Sequence, residues 1–257
     1  MQLLLLAFII GQFSITSNAY TMKNHSEHND SLSKEISKYS YKCHALYPEL
    51  KAGDNVDMGT CFFVSKGEDA FFITALHVAS GVNTVSKKAR TLFDFLVIKN
   101  NKNDILIDVK GVRNEILNID LPPGMALYDV FIKKIDKTIL QRHNINSIQY
   151  DDFLMTEVPD KKWQIYSVGY PTTIKRINAD YAIPSFQSGI ITDVGRNSDN
   201  LFSSSMSVEP GMSGGPVFTI LNEKIKLIGV ISAGKVDTSR ISKIIFTGRQ
   251  IQSRRYW

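Results

Sequence analysis

Long apolar runs, histidine, cysteine and an excess of one charge are all scarce in this sequence, and each shortage narrows what the chain does. The most apolar stretch, Leu3-Leu4-Leu5-Leu6-Ala7-Phe8-Ile9-Ile10, is broken by Gly11-Gln12, short of the about 20 residues a membrane-spanning helix needs. With small residues at Ser17-Asn18-Ala19 behind it, residues 1–19 read as a secretory signal peptide cleaved after Ala19, though without the usual Lys or Arg near its start. Charge points to no polyanionic partner. Thirty Lys and Arg against 25 Asp and Glu leave +5 and a pI near 9.0, and only Arg249, Arg254 and Arg255 cluster, so the balance favours solubility over nucleic-acid binding. His25 and His28 find no third ligand at convincing spacing, so no metal site is expected. There is neither an internal repeat nor a low-complexity tract. Behind the signal peptide, residues 20–40 form a polar leader. It holds the acceptor sequences Asn24-His25-Ser26 and Asn29-Asp30-Ser31, used if the host is eukaryotic, and a candidate capped helix from Ser31 to Tyr39.

What remains, roughly 240 residues, suffices for one large β protein or two small barrels. Short runs rich in Val, Ile, Leu and Phe recur between polar turns such as Lys66-Gly67-Glu68-Asp69, which predicts strands. Met58–Ser65, Ala70–Ala75, Leu92–Lys99, Asp104–Val109 and Leu127–Lys133 make a first barrel. A helix-compatible connection covers about 136–152. Trp163–Val168, Ser185–Val194, Leu201–Val208, Gly215–Ile220, Ile225–Ser232 and Ile241–Thr247 make a second, so the class is all-β.

The chemistry concentrates in Pro210-Gly211-Met212-Ser213-Gly214-Gly215-Pro216. A serine hydroxyl attacks only when a tight turn holds it beside a base, with backbone N–H groups ready for an oxyanion, and Gly211 and Gly214 permit such a turn. A plain connecting loop explains the motif equally well, so its partners decide. The five histidines are His25, His28, His44, His77 and His143. All precede Ser213, which excludes the α/β-hydrolase order and leaves the order His, Asp, Ser. His77 sits where the apolar run Phe71-Phe72-Ile73-Thr74 gives out, the place for a half-buried base. Asp129 is preferred to Asp94, Asp104 and Asp108 because it heads Val130-Phe131-Ile132, where a carboxylate is tolerable only if an imidazole N–H satisfies it.

Three blocks, Ile73-Thr74-Ala75-Leu76-His77-Val78, Tyr128-Asp129-Val130-Phe131-Ile132 and Gly211-Met212-Ser213-Gly214-Gly215-Pro216, resemble the catalytic blocks of trypsin-like serine peptidases. Val168-Gly169-Tyr170-Pro171 and Ser188-Gly189-Ile190-Ile191 resemble the bacterial high-temperature-requirement and bacterial-viral types more than pancreatic trypsin. The resemblance implies two six-stranded antiparallel β-barrels, about 41–140 and 155–250 within a peptidase domain of 41–257, with the active site between them. It implies a secreted serine endopeptidase, extracellular or, in a bacterium, periplasmic, working on protein or peptide substrates with no cofactor, no nucleic acid and no membrane span. His77, Asp129 and Ser213 would be its triad and the amides of Gly211 and Ser213 its oxyanion hole. Ser207 would be the base of the specificity pocket, uncharged where trypsin carries an acid, and Ser232-Ala233-Gly234 the edge that pairs with substrate. No Ile-Val-Gly-Gly occurs in the sequence and Met212 precedes the serine, so no trypsin-style activation cut is expected. A catalytically silent binding module and a peptidase-fold esterase stand as alternatives. In a secreted chain Cys43 and Cys61, on neighbouring strands of the first barrel, are expected to form a disulfide, with two small buried hydrophobes as the other reading.

Overall fold

The computed structural model describes residues 30–46, 58–82, 88, 93–98, 104–118, 129–153, 160–172, 184–194, 201–235 and 238–243. The expected signal sequence, the candidate glycosylation asparagines and the terminal arginines lie outside them. The chain divides into two units at Lys38/Tyr39. In the first, helix α1 covers 30–37, with Leu32 and Ile36 buried one turn apart. No helix among the described residues is long and apolar enough to cross a membrane.

The second unit opens with a mostly antiparallel sheet. Its strands are β1 (Tyr41–Leu46), β2 (Met58–Lys66), β3 (Asp69–Thr74), β4 (Phe95–Ile98), β5 (Ile105–Asp108) and β6 (Phe131–Ile135), in the order β5-β4-β1-β2-β3-β6. Helix α2 (Leu76–Ser80) follows β3 and α3 (Val112–Leu117) follows β5. The polar turn between β2 and β3 closes at Lys66↔Asp69, with Gly67 at φ 56°, a conformation that glycine adopts without strain. β3 is buried on both faces from Ala70 to Thr74, which is why it reads as an unbroken apolar run rather than an alternating one. Phe63, Phe72 and Phe131 meet edge to face at 5.7 and 6.3 Å, and burying each ring contributes about 2 kcal/mol. Cys43 on β1 and Cys61 on β2 form the expected disulfide, with Cα atoms 6.1 Å apart.

The connection read as helix-compatible contains α4 (Lys137–Arg142), the two-residue β7 (Ile148–Gln149) and α5 (Tyr150–Phe153). β7 pairs in parallel with β2 at Val64↔Ile148, the one departure from an antiparallel arrangement among the described strands. Asp136 caps α4 by accepting from the Thr138 amide at 2.9 Å.

The second array closes on itself. β8 (Gln164–Gly169), β9 (Ser185–Asp193), β10 (Leu201–Ser204), β11 (Pro216–Leu221), β12 (Lys224–Lys235) and β13 (Thr238–Lys243) form a barrel in the order β10-β13-β12-β11-β8-β9. Its core gathers Ile165, Ile191, Met206, Met212, Val217, Ile228 and Ile231. Met212, beside the candidate nucleophile, is thus a core residue with no exposed surface. β10 stops at Ser204, short of the expected Val208. Past Ser205, whose amide still donates to the Ile190 carbonyl of β9 at 2.9 Å, the chain leaves the sheet for the loop that carries Ser213.

Candidate active site

His77 is delivered by a very short helix. β3 ends at Thr74, Ala75 is extended at φ −73° and ψ 145°, and α2 runs for five residues before Gly81 closes it at φ 66°. So short a helix does not hold itself; buried Leu76, Ala79 and Ser80 anchor it. The same carboxylate holds His77 twice. Asp129 Oδ1 accepts from the His77 backbone amide at 2.9 Å, and Oδ2 lies 2.8 Å from Nδ1. A carboxylate only accepts, so Nδ1 carries the proton and Nε2 is left as the basic nitrogen. Asp129 sits just before β6 and is 4% exposed, and a carboxylate so buried requires donors. A third comes from Ser232 Oγ at 2.6 Å. The register of β12 against β13 slips between Ile231 and Ala233, and such a bulge re-aims the side chain it carries.

The loop of Ser213 lies against the strand and turn that lead to His77. The Ser213 carbonyl accepts from the Thr60 amide of β2 at 2.8 Å. A Cβ placed on Gly59 would stand 2.6 Å from Val78 Cγ1 of α2 and 3.2 Å from the Ser213 carbonyl. A Cβ on Gly214, whose φ is 87°, would meet the Thr60 carbonyl at 2.1 Å and the Ala75 nitrogen at 2.9 Å. Two glycines therefore let the helix of His77 and the serine loop close on each other. Ser213 itself is half-buried. Among the described residues the loop is held by N–H groups of Met212 to Glu209 O, of Gly214 to Ile231 O and of Gly215 to Met212 O.

The remaining sequence candidates fall around this centre. Ser207 is half-buried between the core residues Met206 and Val208. Ser232, expected to serve the substrate edge, has its hydroxyl on Asp129, which leaves its backbone for that edge. Ala233 and Gly234 pair with Arg240 and Ser239 of β13 on one side. On the other side β11 begins at Pro216↔Val230, so the β12 edge beyond Ile231 is unpaired among the described residues. Sequence reading missed Thr60, Thr172 and the Asp129 contact of Ser232. Each is a small hydroxyl residue in an apolar or loop context, and no spacing rule marks it.

Two curled β arrays, the second a closed barrel, a buried aspartate holding a histidine by its backbone amide and its Nδ1, and a glycine-bounded serine on an inter-strand loop are the architecture of a serine peptidase. The match to known proteins agrees: residues 59–230 fit the trypsin-like peptidase domain, and the chain belongs to that family of serine endopeptidases. No curated protein matches the chain. Among solved structures, the thermostable serine protease AL20 from an extremophilic microorganism superposes with a TM-score of 0.54 at 11% identity, covering 80% of this chain and 91% of its own. The active form of the Rv3671c protease from M. tuberculosis gives 0.48 at 15%, covering 82% and 78%. The protease Anisep from Arthrobacter nicotinovorans gives 0.49 at 13%, covering 80% and 90%. At these identities the AL20 likeness is one of fold.

Proposed function

We propose that the chain is a secreted endopeptidase that cleaves peptide bonds through a Ser213–His77–Asp129 triad and an acyl-enzyme. The observation that carries this reading is the double hold of Asp129 on His77, because it fixes the tautomer in which Nε2 is free to act as base. In the first step Ser213 Oγ attacks the scissile carbonyl carbon while His77 Nε2 takes its proton. Asp129, held by its three donors, stabilises the imidazolium that forms. The carbonyl oxygen becomes an oxyanion received by the amides of Gly211 and Ser213. His77 then returns the proton to the leaving amine, and water repeats the sequence to free the acid. The open edge of β12 at Ser232-Ala233-Gly234 supports an extended peptide by backbone pairing. With Ser207 at the pocket base, a buried Lys or Arg of the substrate would lack a counter-charge there, so cleavage after small or apolar residues is favoured. Residues 1–19 fit export and 20–40 a leader ahead of the peptidase domain.

Profiling on a peptide library tests activity and preference together. Ser213→Ala and His77→Ala should each lower turnover by about 10⁶-fold, since triad members act as a unit. Retention of most activity by Ser213→Ala, or a library dominated by Lys and Arg at the cleaved position, contradicts the corresponding part of the proposal.

A further inference from the structure

A trans peptide is a rigid plane, so whatever binds its carbonyl also decides where its N–H points, on the opposite side. This applies directly to the serine loop. The Pro210 carbonyl accepts from Thr172 twice, from the amide at 2.8 Å and from Oγ1 at 3.1 Å, which turns the Gly211 N–H away from Thr172. The Gly211 carbonyl accepts from Thr60 Oγ1 at 2.9 Å, and that hydroxyl itself accepts from the Tyr170 amide at 3.0 Å. The Met212 carbonyl accepts from Gly215 N at 3.0 Å, turning the Ser213 N–H outward, and the Ser213 carbonyl accepts from Thr60 N at 2.8 Å. Of the two planes that carry the oxyanion amides, Pro210–Gly211 is held by Thr172 and Met212–Ser213 by the Gly215 amide, while Thr60 holds the adjoining planes, Gly211–Met212 through its hydroxyl and Ser213–Gly214 through its amide. The N–H groups of Gly211 and Ser213, by contrast, donate none of the bonds that hold the loop among the described residues.

Such holding is needed because glycine does not hold itself. Gly211 lies at φ 95°, and a residue without a Cβ accepts either orientation of the peptide before it. The flipped plane would put the Pro210 carbonyl where the substrate oxyanion must sit, silencing the site with His77 and Asp129 undisturbed. Packing favours the observed orientation: a Cβ on Gly211 would meet Tyr170 O at 2.4 Å and Thr172 Cγ2 at 2.7 Å, so the 170–172 corner presses directly on this peptide. Thr60, fully buried on β2, ties that corner, the serine loop and the first sheet together.

We propose that Thr172, which holds the peptide plane of the Gly211 amide, and Thr60, which holds the planes on either side of the Ser213 amide plane, are positioning residues that keep the Gly211 and Ser213 amides aimed at the oxyanion. The proposal rests on Ser213 being the nucleophile and goes beyond it, by placing control of the oxyanion hole in two side chains that touch neither substrate nor triad. Its consequence is a site that can be switched off from the 170–172 corner without any change at His77.

The experiment uses the full chain with Thr60→Val, Thr60→Ser, Thr172→Val and Thr172→Ser. It measures kcat and KM on a peptide amide, affinity for a peptide aldehyde whose adduct mimics the tetrahedral intermediate, and affinity for the corresponding product peptide. Thr60→Val, which frees the plane next to the Gly211 amide and keeps the Thr60 backbone bond to Ser213, should lower kcat by roughly 3- to 10-fold. Thr172→Val, which keeps its amide bond, should lose roughly 3- to 10-fold. In both, aldehyde affinity should fall in parallel while KM and product affinity stay within about twofold, and the serine variants should recover most of the loss. A Thr60→Val enzyme with kcat within about twofold of the parent, or one whose product affinity falls as far as its aldehyde affinity, overturns the proposal. Should Thr60→Val fail to fold, half-buried Thr172→Val applies the same criteria at the plane of the Gly211 donor itself. Failure of the underlying reading is separable: it shows in the parent chain, as absence of a covalent aldehyde adduct on Ser213.

Discussion

Asp129 shows how much chemistry one side chain settles. Its position at the head of an apolar run marked it in the sequence, since only a satisfied carboxylate survives there. What the run did not reveal is that satisfaction takes three donors, one of them the backbone of His77 itself. Asp129→Asn preserves shape but offers N–H in place of an acceptor, which disfavours the Nδ1–H tautomer. We expect turnover to fall about 10⁴-fold, with KM little changed. Ser232→Ala removes one donor and leaves two, so a fall nearer tenfold is expected, in line with one charge-assisted bond. Steady-state kinetics on the two variants checks the ranking; equal losses would mean that Ser232 shares the role of Asp129 rather than supporting it.

At the scale of elements, strands were legible because both barrels are built from runs dense in β-branched and aromatic residues, and the Lys66–Asp69 turn was marked by its glycine. The hairpin from β11 to β12 was read less well. Its turn at Asn222 and Glu223, φ 50° and 63°, joins strands that extend to Leu221↔Lys224, and a glutamate with positive φ carries no local signal. β7 was missed because two residues have no periodicity, and β10 was drawn too long because Met206 and Val208 are buried for core packing rather than for pairing. The contact of elements that matters most is the one at Gly59, where α2 meets the serine loop. Gly59→Ala should push Val78 and with it His77, costing on the order of 10²-fold in kcat/KM while circular dichroism shows the fold retained. Unchanged kcat/KM would mean α2 yields without moving His77. The β1–β2 bridge is a separate matter of stability: closing a loop with a sequence separation of 18 contributes about 3 kcal/mol. Denaturant unfolding of Cys43→Ala/Cys61→Ala should show that loss, and a change below about 1 kcal/mol would contradict it.

The molecule as a whole places the histidine and aspartate in one array and the serine in the other, and fastens them with bonds that cross between arrays, chiefly from Thr60. That division was legible from the order of the motif blocks. The fastening was not, because cross-barrel hydrogen bonds join residues about 150 apart in sequence, as Thr60 and Gly211 are, and leave no local pattern. If the loop is held by such bonds, with Met212 packed in the core, the site needs no newly cut amino terminus to become active. The most direct measurement is a fluorophosphonate titration of the uncut chain, with the amino terminus chemically blocked and the label mapped by peptide mass. The account predicts close to one label per molecule, on Ser213, and its loss in His77→Ala. A chain that takes no label at Ser213, or takes it only after an internal cut, would contradict it.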